Sequence, residues 1–410
     1  MSSTPVSAFS SLIFFMAITA FGAMSPTEVR LFDELRLLAA KGDPVDQLKL
    51  GACFERGVGV AKDDAEAMRH YRMAALQGLA EAQYNLGVGY DSGRGVPKDI
   101  GQAIMWWRKA ADHGISQAQF NLALCHDTAR GVPEDLPQAL RYYHMAAGQG
   151  LAQAQYNLGC WHKVGRGVPK NTSEAARLFR LAANQGFAEG QAALAECYEN
   201  GQGVAMSMNE SVRWYRKAAD QGLASAQYNL GVCYDKGQGV ERNMSEAVRW
   251  YRRSAAQGDS SAQFNLALCL VQGEGVTKNE PEAASLFRKA ADAGSADAQY
   301  NLGLCYLNGA GVEKSKSEAI KWLIFSAEKG HPEAQFNLAL CYDEGVGVKK
   351  NPVEAYAYFS LAGITDEVAR KERDILATRL TPGELRQAEQ RVKELKGIIK
   401  LNSADKISGR

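Results

Sequence analysis

The stretch that decides the fold is Ser225–Ser260, SAQYNLGVCYDKGQGVERNMSEAVRWYRRSAAQGDS. This 36-residue phrase occurs nine times without insertion or deletion, and every copy has Gln at its third position and Leu at its sixth. The copies begin at Val45, Glu81, Gln117, Gln153, Glu189, Ser225, Ser261, Asp297 and Glu333. A unit of this length cannot cover its own apolar face, so neighbouring units must stack into one continuous core.

Each copy of the phrase predicts two helices. Ala226 and Leu230 belong to an apolar stripe with helical spacing, which predicts the first helix. Gly237–Val240 ends that helix, because Gly readily takes the positive φ of a helix C-cap. Asn243–Glu246 is a capping box that begins the second helix. The seventh position is Gly or Ala in every copy, which we interpret as a need for a small residue where the second helix approaches closely.

The phrase resembles the Sel1-like repeat, a relative of the tetratricopeptide repeat. The shared pattern is A-x-x-x-L-G-x-x-Y-x-x-G-x-G-V followed by A-x-x-W-Y-x-x-A-A-x-x-G, and the resemblance covers Val45 to about Gly363. It implies an all-α fold, a right-handed α/α superhelical solenoid of nine 36-residue helix-pair repeats with helical caps. It also implies a non-enzymatic scaffold or adaptor for protein–protein interactions.

The flanking segments predict caps for the repeats at 45–364. A capping box at Ser25–Glu28 begins an N-terminal capping helix within residues 25–44, and Leu31, Leu35 and Leu38 make its apolar stripe. Residues 365–400 read as two C-terminal capping helices, because terminal repeats need a polar outer face. We expect residues 401–410 to form a disordered tail.

The N-terminal 23 residues are typical of a signal peptide. Ala8–Ala23 is apolar but too short for a comfortable transmembrane helix, and Ala20–Gly22 offers small residues for cleavage. The first basic residue is Arg30, so the usual positive n-region is missing, and Met24 is an alternative start. The apolar segment and the small residues at Ala20–Gly22 nevertheless favour export, to a periplasm, a secretory lumen or the exterior, over the cytoplasm. We expect no integral membrane span in the mature chain.

Composition excludes few partners but argues against nucleic acid. The chain has 47 basic and 46 acidic residues, a net charge of +1, and so no nucleic-acid footprint. No Gly-rich phosphate loop is present, because G-x-G-V here ends helices. We therefore expect a protein or peptide partner, no cofactor and a monomeric chain.

The eight cysteines are the first candidates for chemistry. Seven share one position of the repeat, and adjacent equivalent helices lie roughly 8–10 Å apart, whereas a disulfide needs Cα atoms within about 7 Å. We therefore interpret them as core residues. Cys125, His126, Cys160 and His162 fall in consecutive repeats, but no metal-binding spacing supports them, so we expect no metal site and no catalytic residue.

A cysteine-rich subfamily of Sel1-like proteins suggests an alternative function. Some of its members are reported to bind or slowly hydrolyse β-lactams, and its hallmark is two cysteines per repeat that join successive helices. The matching positions here are Ala219 and Gln227, so the hallmark is absent. A cell-wall-active or β-lactam-binding hydrolase remains the alternative to a scaffold.

The candidate binding surface comes by analogy with tetratricopeptide repeats, whose fourth, eighth and eleventh first-helix positions line a concave groove. An aromatic residue followed by Asn recurs there without a break in repeats six to nine, which predicts a groove for an apolar peptide or helix. The competing interpretation is that the aromatics pack on the neighbouring repeat while Asn bonds inter-repeat backbone. The predicted groove residues are Tyr228, Asn229, Val232, Asp235, Phe264, Asn265, Tyr300, Asn301, Leu304, Phe336 and Asn337.

Overall fold

The computed structural model describes residues 25–408, and the side chains of residues 25–402. It contains 21 α-helices and no strand within that range, which confirms the all-α prediction. The predicted signal peptide at 1–23 lies outside the described residues.

Two helices form each repeat, as the sequence predicts. An N-terminal helix, α1, precedes the pairs, and two helices follow them. The first helices of the nine repeats have even numbers from α2 to α18, and the second helices have odd numbers from α3 to α19. The helices are α1 Pro26–Ala39, α2 Pro44–Arg56, α3 Asp64–Leu76, α4 Ala80–Ser92, α5 Ile100–Asp112, α6 Ser116–Asp127, α7 Leu136–Gly148, α8 Ala152–Val164, α9 Thr172–Asn184, α10 Ala188–Asn200, α11 Met208–Asp220, α12 Ala224–Lys236, α13 Met244–Ala256, α14 Ser260–Gln272, α15 Glu280–Asp292, α16 Ala296–Asn308, α17 Lys316–Ala327, α18 Pro332–Glu344, α19 Pro352–Ala362, α20 Glu367–Ala377 and α21 Pro382–Ser408.

The chain divides into two compact units, the first ending at Ala182 and the second beginning at Ala183. In each unit the core is built from the same repeat positions. These are the Ala and Leu of the first helix, the paired Ala residues of the second helix, and its large central side chain.

The small residue at the seventh position meets the large central side chain of the second helix. A Cβ added to Gly231 would lie 2.7 Å from the Tyr251 ring, and one added to Gly87 would lie 2.5 Å from the Trp107 indole. Both distances are too short for a carbon–carbon contact, so these repeats have no room for a larger residue. This confirms the close approach predicted from the sequence.

The two glycines of each G-x-G-V loop do different work. Gly345, the first of its pair, is the left-handed C-cap of α18, with φ +79°. Gly347, the second, also has positive φ (+73°), and a Cβ on it would lie 2.8 Å from the Lys316 carbonyl oxygen at the start of the preceding repeat's second helix. The loop therefore packs on the previous repeat, where a side chain would not fit.

The Gln at the third position, which is invariant among the nine copies, has a structural explanation. All nine of these glutamines are buried. In repeats two to nine the side-chain amide donates to a carbonyl eight residues earlier, at the C-terminal end of the previous repeat's second helix; for Gln335 the acceptor is Ala327 at 3.0 Å. Carbonyls at a helix end lack intrahelical donors. The glutamine thus satisfies a buried acceptor and joins successive repeats.

The ends differ in detail from the predictions. In α1 the Ser25–Glu28 capping box forms, but the buried side chains are Phe32 and Ala39, whereas Leu31 and Leu38 are 58% and 43% exposed. The predicted stripe was therefore wrong at Leu31 and Leu38, whereas Leu35 packs against the Phe32 cluster as predicted. The final helix continues to Ser408, so helix replaces the disordered tail predicted from residue 401.

Candidate functional site

The eleven predicted groove residues lie on α12, α14, α16 and α18 of the second unit. All eleven side chains are half-buried, neither sealed in the core nor fully exposed. This is the burial expected of side chains that support the repeat on one side and remain accessible on the other. We call these eleven residues the groove residues.

Three of the four aromatic groove residues rest on a second-helix ring of their own repeat. The ring centroids of Phe264 and Phe287 are 5.9 Å apart, and those of Phe336 and Phe359 are 5.7 Å apart. Tyr228 lies in the same way 6.1 Å from Tyr251. Such contacts fix the orientation of the rings, and aromatic pairs at these distances contribute about 0.5–1.5 kcal/mol beyond their area burial.

Tyr300 is held differently, by the N-cap residue and the first turns of the following first helix, α18. Its ring stacks on the His331 imidazole with centroids 4.8 Å apart, and its hydroxyl accepts a hydrogen bond of 3.0 Å from the Asn337 side chain. Burial raises the pKa of the Tyr300 hydroxyl, and the Asn337 bond partly opposes that rise. Tyr300 therefore joins two repeats while one edge of its ring stays accessible.

Two of the four groove asparagines bond groups other than the inter-repeat backbone that the competing interpretation expected as their partner. Asn337 bonds the hydroxyl of a neighbouring tyrosine, and Asn301 donates to the Asp297 carbonyl of its own helix at 2.8 Å. Asn337 does connect two repeats, but it donates to the Tyr300 side chain rather than to backbone.

Asp235 is tied to its own repeat. One carboxylate oxygen accepts a 3.1 Å hydrogen bond from the buried Tyr251 hydroxyl, and its carbonyl accepts a 2.9 Å bond from Arg242 Nε. The same pairing occurs in other repeats, for example from Tyr215 to Glu199 at 2.7 Å. The eleventh position is thus an acceptor for a buried tyrosine in these repeats.

Three of the eleven groove residues border a concavity at the C-terminal end of the repeats, and the other eight do not line it. It has a volume of about 450 Å³. Tyr300, Phe336 and Asn337 supply one side, and Glu333 and Asp366 bring carboxylates to it. The remaining lining residues are Pro332 and Thr365.

Four of the seven lining residues were missed by sequence reasoning. Pro332 and Glu333 precede the aromatic position, and Thr365 and Asp366 lie beyond Gly363, where the period ends. The sequence signal that could have found Thr365 and Asp366 was the helix N-cap at Asp366. Asp366 caps α20 just as His331 caps α18, 35 residues earlier, which places α20 in the position of a further first helix.

The cysteines and histidines singled out by the sequence lie in or beside the core. Cys233, Cys269 and Cys305 are buried free thiols, and burial raises the pKa of each to about 11. His126 stacks on the Tyr142 ring at 6.1 Å. Among the side chains of residues 25–402, no three His, Cys, Asp or Glu come together as metal ligands could.

The positions that carry the cysteine pair in the cysteine-rich relatives are joined here in another way. The Gln227 side-chain amide donates to the Ala219 carbonyl at 3.1 Å, and both residues are buried. A hydrogen bond therefore connects the two helices at the place where the resemblance would put a disulfide.

The comparisons with known proteins identify the family. The model of the Sel1 repeat matches nine consecutive segments, 44–79, 80–115, 116–151, 152–187, 188–223, 224–259, 260–295, 296–331 and 332–363. The chain belongs to the Sel1 repeat family. Sel1 repeat proteins are interaction scaffolds, and the solenoid of this family is typically non-catalytic. No curated protein matches the chain.

Solved structures of other proteins are similar to the chain. A Sel1 repeat protein from Oxalobacter formigenes is 30% identical over 78% of this chain and 97% of its own, with a TM-score of 0.56. The protective antigen c5321 of uropathogenic Escherichia coli, which displays an SLR fold, is 30% identical over 92% of this chain and 97% of its own, with a TM-score of 0.44. The immunity protein Pa5087 of Pseudomonas aeruginosa is 23% identical over 53% of this chain and 82% of its own, with a TM-score of 0.34.

No helix of residues 25–408 combines the length and the apolar composition needed to cross a bilayer.

Proposed function

We propose that this Sel1 repeat protein is a non-enzymatic scaffold that binds a partner protein through the groove residues of repeats six to nine. The ligand is an extended peptide or a helix of the partner. The observation that carries the proposal is the concavity of about 450 Å³ bordered by Tyr300, Phe336 and Asn337. It offers apolar ring surface next to an amide, and a partner segment needs both.

The packing of the aromatic residues favours binding. The second-helix rings and His331 support the groove aromatics from below, so these side chains lose little further freedom when a partner covers them. Binding weakens when rotamer-rich side chains must be immobilised, at about 0.5–1.5 kcal/mol each. Anchored aromatic residues are also the commonest hot spots of interfaces, where truncation costs about 2 kcal/mol or more.

The test is selection of a phage-displayed library of 12-residue peptides against the full chain, followed by affinity measurements with the selected peptides. We expect Tyr300→Ala to weaken binding by at least about tenfold. Tyr84→Ala is the matched control, because Tyr84 occupies the same position in repeat two and is likewise half-buried beside an Asn, Asn121. Tyr228→Ala tests the other end of the groove.

Melting temperature separates packing from binding. Tyr300→Ala and Tyr84→Ala should lower it by similar amounts, whereas only Tyr300→Ala should weaken binding. Equal weakening by both, or no selected peptide at all, contradicts the proposal. A panel of β-lactam and peptidoglycan substrates tests the alternative hydrolase, for which we expect no turnover.

A further inference from the structure

The helix α20 continues the row of first helices beyond the last repeat. It packs on α19 as each first helix packs on the preceding second helix. Counting from the caps, Val368, Lys371 and Ile375 stand where α18 has Glu333, Phe336 and Leu340. These are the first, fourth and eighth positions of the repeat, the side of the helix to which the groove residues belong.

The apolar side chains on this side of α20 are more exposed than any groove residue. Val368 is 54% exposed and Ile375 is 48% exposed, whereas the groove residues are all half-buried. The adjacent face of α20, about 100° round the helix, buries Ala369 and Leu376. The helix is therefore anchored on one side and leaves an apolar stripe uncovered within the described residues.

The concavity between α18 and α20 is rich in carboxylates. Glu333 and Asp366 line it. Glu333 is connected to Asp297 through His331, whose ring nitrogens lie 3.2 Å from Glu333 Oε2 and 3.3 Å from Asp297 Oδ1. On α20, Lys371 pairs with Glu367 at 3.0 Å. The three carboxylates of Glu333, Asp366 and Asp297 therefore outnumber the His331 ring that touches two of them.

We infer that this concavity takes an arginine or lysine side chain of the partner segment, with apolar residues of the same segment lying on Val368 and Ile375. Cationic side chains combine attraction to carboxylates with favourable contact to aromatic rings, and Tyr300 and Phe336 supply such rings. The inference rests on the proposed function, because it names the chemistry of the partner at one end of the same groove.

The test uses the peptides selected on the wild-type chain, resynthesised with a fluorescent label. We expect them to share a basic residue next to apolar residues. The double variant Glu333→Gln and Asp366→Asn should weaken their binding about fivefold to tenfold, and more at low salt than at high salt. Asn is an effective helix N-cap, so the second change preserves the cap of α20.

Matched variants separate charge from packing. Glu344→Gln removes an exposed carboxylate at the other end of α18 and should leave binding unchanged. The double variant Val368→Ser and Ile375→Ser changes only exposed side chains and should weaken binding without lowering the melting temperature.

The outcomes distinguish this inference from the proposed function. The inference is overturned if the selected peptides lack a basic residue. It is also overturned if Tyr300→Ala abolishes binding while the carboxylate variant leaves binding intact. In both cases the proposed peptide-binding groove is not contradicted. Failure to select any peptide overturns both.

Discussion

Two buried glutamines at equivalent positions should contribute unequally to stability. Gln227 donates to the Ala219 carbonyl at 3.1 Å and accepts a 2.8 Å bond from the Gln257 side chain. Gln263 donates to the Ala255 carbonyl at 3.3 Å, but its Oε1 is buried without a partner. The difference arises because Gln257 of one repeat is replaced by Ala293 in the next.

The perturbation is the change of each glutamine to leucine, which has a similar volume. Gln227→Leu removes two hydrogen bonds, worth about 1 kcal/mol each, so its bonding loss is about 2 kcal/mol. Gln263→Leu removes one such bond, but it also removes an unpaired buried oxygen, whose penalty is about 1–3 kcal/mol. The apolar gain from leucine is common to both variants. We therefore expect the Gln227 variant to be less stable than the Gln263 variant by about 2 kcal/mol or more.

The assay is urea unfolding followed by circular dichroism, with hydrogen exchange to resolve the helices. Exchange is needed because long repeat arrays lose cooperativity, and a single unfolding midpoint then averages over many repeats. The informative amides are those of α12 for Gln227 and α14 for Gln263. Equal losses, or a larger loss for Gln263→Leu, would refute the reasoning that hydrogen-bond satisfaction rather than burial sets the contribution of this position.

Two further predictions concern loops and thiols. Gly95→Ala should lower the free energy of unfolding by at least about 3 kcal/mol, because the φ of Gly95 is +65° and an added Cβ would overlap the Asp64 carbonyl. Gly114 has φ +88° and open space around it, so Gly114→Ala should lower the free energy of unfolding by only about 1–2 kcal/mol. Thermal melts of the two variants compare these losses. Burial raises the pKa of the Cys233 thiol from 9.0 to about 11, so its contribution to stability is complete below pH 9 and disappears as the pH rises towards 11. Urea midpoints at pH 7.5, 9 and 10 test this, and a midpoint that does not fall above pH 9 would contradict it.

Most of the fold follows from the sequence because one pattern is repeated nine times. The small seventh residue predicted a close helix approach, and Gly231 against Tyr251 provides it. The cap residues Asn243 and Ser315 begin their helices as predicted. The ends were less predictable because they occur once. In α1 a shift of one residue decides whether Leu31 or Phe32 faces the core, and periodicity over so short a segment does not distinguish them.

The candidate site was only partly predictable, for a related reason. A repeat pattern shows which residues recur, but recurrence itself arises from packing as well as from binding. Asn337 recurs in the aromatic–Asn pair, and its amide bonds the Tyr300 hydroxyl. Conversely, Asp366 and Thr365 border the concavity although they belong to no repeat.

Side chains at the end of the array are less constrained by packing than the equivalent side chains inside it. Inside the array, a first-helix aromatic must complete the packing of its own repeat, as Phe336 does on Phe359, so its accessible area is limited. The helix α20 is followed by no further second helix of the array, and its apolar side chains at Val368 and Ile375 stay about half exposed. The stripe is explained if a partner covers it, and this is why the strongest experiment on the groove begins at its last helix.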